Sequence, residues 1–274
     1  MKNQEKKSET RLINEIIAKE EQCHLLFFGK TFDLTDFANI LRKYGRRKIK
    51  FWQTLGLEPH FLPKVPMMPE NNYPGWKIKP EEWFYTQVKK GRILQEINGK
   101  LTKIKTVELG GISVLVDTRL KPDCNNGKEW KNDNFCGPII EKLRKTKKIA
   151  NYDPPFSRFN VSIDEWEEKI KPAIANRLKV NPNSVLLESV IIANIIPQMY
   201  PYMERKNDGK TKTWCWFEDY FIEKANNLWD FRLIGIPHYR LNGIFSEDGG
   251  LADVFYFPTH FQRPDGSFRP LIVL

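Results

Sequence analysis

Cysteine is scarce in this chain, and its spacing excludes a CxxC redox pair and a zinc site. Four cysteines occur in 274 residues, none forms a CxxC pair, and no His/Cys spacing matches a zinc site. No apolar run approaches the ~20 residues of a membrane helix, and the opening MKNQEKKSETR lacks the apolar core of a signal peptide. We therefore expect a cytoplasmic protein with reduced thiols, no membrane span, no metal and no cofactor.

Catalytic motifs are missing as well. The four histidines form neither an HxxxH nor an HExxH pattern. There is no G-x-S-x-G elbow, and GKTKTW at Gly209 is not preceded by the glycine-rich part of a P-loop. Glu218 and Asp219 are adjacent in a strand candidate, where they would face opposite sides. The chain is therefore expected not to be an enzyme, with a loosely spaced nuclease-like site of the PD-(D/E)xK kind as the enzymatic alternative.

Charge is present in excess and is unevenly placed. The net charge is +10, yet from Pro201 onward nine Lys and Arg stand against ten Asp and Glu. The basic excess therefore lies in the first 200 residues. Such an excess is typical of contact with nucleic acid or an acidic membrane surface, or of a solvated basic face.

Residues 1–70 form a predicted basic helical N-terminal region. DLTDFANILRKYG and RRKIKFWQTLG read as two short helices joined at Gly45, each with one apolar face. Basic residues after the joint allow a helix-turn-helix, which makes nucleic acid a possible partner. Five prolines between Pro59 and Pro74 then predict a linker or an extended arm without regular structure, and we place a domain boundary at residue 70.

Residues 71–274 form the second predicted domain. Helices are expected at KPEEWFYTQVKKG, GPIIEKLRKTKKI and SIDEWEEKIKPAIANRL, the last with a capping box of Ser162 and Glu165. Strands are expected on both sides of the turn Asn98-Gly99, and at SVLLESVIIANIIPQMYP, TWCWFEDYF and FRPLIVL. The expected class is α+β with a mostly antiparallel sheet.

The stretch before the final strand is unusually aromatic. Phe255, Tyr256 and Phe257 are consecutive, so strand alternation turns at least one of them outward. His260 lies in a segment bounded by prolines, which predicts an exposed loop. Aromatic and polar side chains on loops of a rigid scaffold are typical of binding surfaces, although an extended core patch is the alternative.

The same region resembles a known family. TWCWFEDYF, RLIG, GGLADV and the terminal SFRPLIVL look like the variable proteins of diversity-generating retroelements, which have a C-type lectin-like fold. The family's last strand typically reads G-F-R-P-L-V-V-L, and Ser267 replaces its first glycine here. The resemblance covers about residues 213–274. It implies a C-type lectin-like domain over 71–274, a variable region at about 232–274, and a non-enzymatic, hypervariable protein that binds an unknown protein or other macromolecular ligand.

In this family a template repeat is copied with errors at its adenines. Asn codons of the form AAY randomised in this way cannot encode Lys, Glu, Gln, Trp or Met. Residues 236–265 contain no Lys, Trp or Met, and the exceptions Glu247 and Gln262 must be unvaried or come from other codons. Arg269, in the predicted final strand, should find carbonyl or carboxylate partners, because an unpaired buried charge is costly. The expected ligand-binding positions are His238, Tyr239, Arg240, Asn242, Phe245, Asp248, Asp253, Phe255, Tyr256, Phe257, His260, Phe261, Arg263 and Asp265.

Overall fold

The structure is a computed structural model that describes residues 2–97, 99–120, 129–203, 205, 214–222, 239–245 and 251–274. The helices are α1 (Lys2–Phe28), α2 (Thr35–Thr54), α3 (Glu82–Lys89), α4 (Gly137–Lys145), α5 (Ile163–Glu165), α6 (Lys171–Leu178) and α7 (Val190–Met199). The strands are β1 (Leu57–Leu62), β2 (Ile93–Ile97), β3 (Lys100–Lys103), β4 (Ile112–Asp117), β5 (Val185–Leu187), β6 (Trp214–Phe221), β7 (Tyr239–Phe245), β8 (Leu251–Pro258), β9 (Gly266–Phe268) and β10 (Pro270–Val273).

The strands form two sheets. One has the order β1-β4-β10-β5 and is antiparallel throughout its described pairs. The other has the order β3-β2-β6-β7-β8, with β9 added parallel to β6. The C-terminal FRPLIVL thus contributes to both sheets, and Arg269 lies at the transition between β9 and β10. The expected α+β class with mostly antiparallel sheets is confirmed.

The proline-rich stretch after α2 begins with a strand, which corrects the linker prediction. Leu57–Leu62 pairs with β4 along its whole length. Pro59 is compatible with this because β1 ends the described sheet, and an edge strand can place a residue without an N–H on its open side. Beyond β1, residues 63–81 contain no helix or strand, only an isolated bridge at Pro66. Strand β1 therefore lies in the same sheet as C-terminal strand β10, across the boundary placed at residue 70.

The prediction of a strand over SVLLESVIIANIIPQMYP is wrong for most of that segment. Only Val185–Leu187 is a strand, and Val190–Met199 is helix α7. The Ser189 side chain caps the helix by accepting a hydrogen bond from the N–H of Ile192 at 3.3 Å. Nearly all of the helix is buried. A helix that is apolar on every side shows no period that distinguishes it from a buried strand.

Local signals elsewhere are confirmed. Helix α2 bends at Gly45, which has φ 73° and ψ 166°, so it consists of two helical parts joined where the sequence predicted. The capping box of Ser162 and Glu165 is present at the start of α5. A π-helical turn, Trp166–Ile170, follows and leads into α6 just before Pro172. No helix of the described residues is both long and apolar enough to span a membrane.

Candidate functional site

Strands β7 and β8 place the expected binding residues on two different faces. Their antiparallel register pairs Asn242 with Phe255 and Arg240 with Phe257. Because paired residues point to the same side of a sheet, these four side chains share one face. Tyr256 lies on the opposite face.

The first face ends in a cluster of exposed rings. Phe255 is 50% exposed and Phe261 is 41% exposed. The Phe255 ring lies 5.4 Å from Trp214, and Phe257 stacks on Phe261 at 5.2 Å with an angle of 10° between the rings. The Arg263 guanidinium lies over both Trp214, at 4.2 Å, and Phe257, at 4.9 Å. We call Trp214, Phe255, Phe257, Phe261 and Arg263 the C-terminal aromatic face.

The loop between β8 and β9 carries part of this face, and its main chain is anchored from outside. Its carbonyl groups accept hydrogen bonds from other parts of the chain. The donors are the N–H of Asp164 to Thr259, the N–H of Asn160 to Arg263, the hydroxyl of Tyr152 to Pro264, and the N–H of Trp214 to Asp265, at 2.9–3.2 Å. Within the loop, the N–H of Phe261 donates to the carbonyl of Pro258 at 3.0 Å. The loop's main chain is therefore anchored by hydrogen bonds that involve none of the loop's own side chains.

His260 and Gln262 complete the exposed part of the loop. His260 is exposed, and the Gln262 amide donates to Glu165 Oε1 at 3.2 Å. Asp265 is partly buried and binds the Arg263 guanidinium through both of its oxygens, at 2.8 and 2.9 Å. The predicted exposure of His260 in a proline-bounded loop is confirmed.

Arg240 does not face a ligand, which corrects the expectation for this residue. Its side chain is fully buried and donates to the Glu218 carbonyl at 2.6 Å, to Tyr220 Oη at 2.6 Å and to Glu167 Oε1 at 2.8 Å. Burial alone would lower the pKa of Arg240, but the charges of Glu218, Tyr220 and Glu167 raise it above its usual value. Arg240 therefore belongs to the framework under β7.

Asn242 is also buried, so the expectation that it contacts a ligand at the surface is corrected too. Its side chain has no exposed fraction, and within the described part of the chain neither its amide nitrogen nor its amide oxygen has a hydrogen-bond partner. A buried amide without partners costs about 1–3 kcal/mol. Asn242 lies directly beside Phe255 in the β7–β8 register.

The second face of β8 belongs to the core. The Tyr256 ring stacks on Phe221 at 4.2 Å and lies parallel to Trp83 at 6.2 Å. Tyr239 meets Tyr256 edge to face at 5.5 Å. Both tyrosines are partly buried and pack against the core, so neither shares the face of Phe255 and Phe257.

Other expected positions lie outside the described residues or only partly within them. His238 and Asp248 lie outside the described residues. Phe245 lies at the end of β7, and Asp253 pairs with Ile244 in β8. The sequence did not single out Trp214 as a surface residue. The alternation in TWCWFEDYF contained the signal, because it puts Trp214 and Trp216 on one side of β6.

The open edge of β8 is protected against further strand pairing. The N–H of Val254 donates to Glu81 Oε1 at 2.6 Å, although β8 pairs only with β7 among the described strands. Pro258 ends the strand and has no N–H to offer. Occupied donors and proline are two ways in which edge strands avoid pairing with other chains. Val254 and Pro258 are therefore two positions of this strand that offer no free N–H for further strand pairing.

Several charged side chains of the framework are buried and have partners. Arg158 donates to Asp117 Oδ2 at 2.5 Å and to Asp133 Oδ2 at 2.6 Å. The Arg269 guanidinium donates to the carbonyls of Arg119 and Leu120, which confirms the carbonyl partners expected for it. Burial raises the pKa of Asp117, but the charges of Arg158, Arg119 and Arg269 together outweigh burial and hold that pKa well below its ordinary range.

The two acidic residues of β6, Glu218 and Asp219, accept hydrogen bonds from main-chain N–H groups of other elements. Glu218 accepts from the N–H of Leu187 at 2.8 Å, whereas Asp219 accepts from the N–H of Val190 at 2.6 Å. Burial raises the pKa of both carboxyl groups. The two side chains thus serve different elements, as their adjacency in a strand predicted. In the described part of the chain, no three His, Cys, Asp or Glu side chains are grouped as metal ligands.

The basic residues of α2 form a separate exposed surface. Arg42, Lys43, Arg46, Arg47 and Lys50 are all exposed. Lys48 differs, because its ammonium donates to the carbonyl of Leu178 at 2.7 Å. The exposed five are free to contact an anionic partner.

Comparison with known proteins adds no relative: no family model, curated protein or solved structure matches the chain.

Proposed function

We propose that this chain is a non-enzymatic binding protein whose C-terminal aromatic face contacts a macromolecular ligand. The observation that carries the proposal is the exposure of Phe255 and Phe261 on a strand and loop that are anchored through main-chain groups. Such a loop is ordered before binding, so little entropy is lost when a ligand docks. Aromatic side chains add large contact area at low rotamer cost.

The way the loop is anchored also supports the resemblance to retroelement variable proteins. Substitutions at Phe255, His260 or Phe261 leave every main-chain hydrogen bond of the loop in place. A surface of this kind tolerates sequence diversity while its shape is retained. The proposal therefore includes a C-type lectin-like domain with a diversified surface, and the mostly antiparallel sheets are consistent with it.

The binding surface can be tested with ligands selected on the chain itself. Peptides from a phage-displayed library would be selected on the purified protein, and their affinities measured by biolayer interferometry. Truncating a central aromatic side chain in an interface costs about 2 kcal/mol or more, about 30-fold in Kd. We expect at least this loss for the double variant Phe255→Ala/Phe261→Ala.

A matched control uses exposed apolar residues elsewhere. Leu25 and Leu26 on α1 are 52% and 67% exposed, so Leu25→Ala/Leu26→Ala removes similar surface. We expect this variant to bind the selected peptides as the unmodified chain does. Peptides that bind both double variants with unchanged affinity would refute the assignment of the surface.

Diversification is tested separately in the genome. We expect a reverse-transcriptase gene near this one, together with a near-copy of the gene's 3′ end that differs only at template adenines. If no such repeat exists, diversification is rejected. The binding surface would stand or fall on the peptide measurement alone.

A second candidate function is contact with nucleic acid through α2, favoured by its five exposed basic residues. Binding of a fluorescent duplex would then weaken steeply with salt, and Arg46→Gln/Arg47→Gln would reduce the slope of log K against log salt by about two. Lys142→Gln/Lys145→Gln, on the exposed side of α4, is the control. An unchanged slope in the Arg46/Arg47 variant would exclude this surface.

A further inference from the structure

The exposed side of α2 carries an aromatic ring among its basic residues. Residues 37–57 contain six Lys and Arg and neither Asp nor Glu. In the second part of the helix, Arg46, Arg47 and Lys50 are exposed, and Phe51 is 39% exposed. Single exposed apolar residues are common on proteins. Phe51 differs from such residues because its neighbours on the helix surface are cations.

Helical spacing determines which side chains lie beside the ring. Residues three and four positions apart are neighbours on a helix surface. Arg47 and Lys48 therefore flank Phe51 on the preceding turn, and Arg47 also neighbours Lys50. The Lys48 ammonium lies over the Phe51 ring, 5.4 Å from its centroid. A cation within about 6 Å of a ring centroid is attracted to the ring, so positive charge borders Phe51 in the folded chain.

A second element adds positive charge beside Lys48. The Lys48 ammonium donates to the carbonyl of Leu178, at the end of α6, at 2.7 Å. The next residue, Lys179, is exposed. Burial lowers the pKa of Lys48, and the charge of Lys179 lowers it further. The two ammonium groups therefore repel each other, and an anion bound between them would relieve this repulsion.

Carboxylates border α2 on the side of α1. Glu9 accepts from the N–H of Arg46 at 3.3 Å. Lys50 lines a cleft of about 250 Å³ together with Glu15 and His60. An anionic ligand is therefore favoured on the side of α2 that faces α6, where the exposed aromatic ring lies.

We propose that this side of α2 binds an unpaired nucleic-acid strand, with one base stacked on Phe51 and phosphates held by the cations around it. The inference rests on the second candidate function, contact of α2 with nucleic acid, and names the kind of strand. A base in a duplex is stacked between its neighbours, whereas an unpaired base can stack on an aromatic side chain. Stacking reads no hydrogen-bonding edge, so no base is strongly preferred. We call Arg47, Lys48, Phe51 and Lys179 the α2 stacking site.

The test measures stacking separately from charge. The probes are a short fluorescein-labelled oligo(dA) and a strand of the same length with abasic sites in place of adenine, so both carry the same phosphates. Their Kd values for the full chain are measured by fluorescence anisotropy at one salt concentration. Stacking of one base on an aromatic side chain contributes about fivefold or more to Kd, so the abasic strand should bind at least about fivefold more weakly. Oligo(rA) of the same length is measured as well, and the tighter of the two adenine strands identifies DNA or RNA as the ligand.

Two variants at Phe51 assign that difference to the ring. Phe51→Ala should weaken oligo(dA) by about fivefold or more and leave the abasic strand unchanged, because it removes the stacking surface and no charge. Phe51→Tyr keeps a ring and should retain the affinity of the unmodified chain. Phe156→Ala is the matched control, since Phe156 is 38% exposed in the segment between α4 and α5, and it should not alter binding. Thermal unfolding checks that all three variants are folded.

The outcomes separate this inference from the function on which it rests. Equal affinity for oligo(dA) and the abasic strand, or unchanged affinity for oligo(dA) in folded Phe51→Ala, would overturn the stacking site. Contact of α2 with phosphates would still stand if Arg46→Gln/Arg47→Gln lowered the salt slope, and an unchanged slope would exclude both. If Phe51→Ala weakened binding of an oligo(dA)–oligo(dT) duplex as much as that of oligo(dA), the preference for an unpaired strand would be refuted.

Discussion

Replacing Arg240 by methionine should destabilise the fold strongly, although Arg240 lies on the same side of the sheet as the aromatic face. The guanidinium is fully buried and lies 3.4 Å from Glu218 Oε1 and 3.6 Å from the centre of the Tyr220 ring. Removing one partner of a buried ion pair costs about 3–5 kcal/mol, because the other charge stays buried without compensation. The contact with Glu167 adds little, since that side chain is 32% exposed and solvent screens it.

The expected loss is large enough to measure by thermal unfolding. A change of 1 kcal/mol shifts the Tm by about 2–4 °C in proteins of 150–250 residues, so Arg240→Met should lower the Tm by about 10 °C. Phe255→Ala, on the neighbouring strand, should change the Tm by about 2 °C or less, because half of that ring is already in water. Equal losses in the two variants would refute the separation of framework from surface.

The same variant has a predictable pH dependence through Glu218. Burial raises the pKa of Glu218 in the folded state, and Arg240 partly offsets this. Without Arg240 the folded-state pKa rises further above the unfolded value. The folded protein then holds its proton to higher pH than the unfolded chain, so stability falls as pH rises through this range. The loss of unfolding free energy caused by Arg240→Met should therefore shrink as the pH is lowered towards protonation of Glu218. A loss that is independent of pH would contradict the role of an uncompensated Glu218 charge.

Three further predictions concern other residues. Asn242→Leu should raise the Tm, because it removes an amide without partners whose burial costs about 1–3 kcal/mol; a fall of about 5 °C would contradict this. Burial raises the pKa of Glu20, but the charge of His60 and hydrogen bonds from His24 and His60 lower it to about 2 in the folded protein, against an ordinary value of 4.5. The contribution of Glu20 to the free energy of unfolding is therefore complete above about pH 4.5 and is lost as the pH falls towards 2. The urea midpoints of the unmodified chain and of Glu20→Gln should converge over that range. Gly75→Ala should lower the free energy of unfolding, measured in urea, by about 1–3 kcal/mol, because the added Cβ would lie 2.6 Å from the main-chain Cα of Phe27. Gly110→Ala serves as the control, because there the atom nearest to the added Cβ would be a side-chain atom 3.4 Å away.

The parts of the fold that the sequence predicted depend on local chemistry. The bend at Gly45 needs a positive φ that glycine adopts at little cost, and the capping box is formed by Ser162 and Glu165 within one helical turn. The predictions for the segments that form strand β1 and helix α7 were wrong, because the structure of these segments depends on their tertiary surroundings. An edge position makes Pro59 acceptable in a strand, and complete burial removes the helical period of α7.

In the candidate site, too, features set by local sequence were predicted and features set by tertiary contacts were not. Alternation along β8 predicted that one of three consecutive aromatic residues faces outward, and Phe255 does. The burial of Arg240 on that same face could not be predicted, because its partners include residues as distant in sequence as Glu167, which is 73 residues away. The cleft at His60 was missed for a related reason. The residues that line this cleft come from α1, α2 and β1, and no spacing in the sequence connects them.

These contacts limit which positions of the C-terminal region can vary, and the limit sharpens the retroelement proposal. Arg240 holds Glu218, and a Cβ at Gly266 would lie 2.5 Å from the Cβ of Arg263, so neither position tolerates general substitution. Phe255, His260 and Phe261 are exposed and contribute only main-chain atoms to the fold's hydrogen bonds. If a template repeat exists, its adenines should therefore fall at the codons of these three exposed residues and avoid those of Arg240 and Gly266. Template adenines concentrated at the codons of the buried residues Arg240 and Gly266 would show that the diversified surface lies elsewhere.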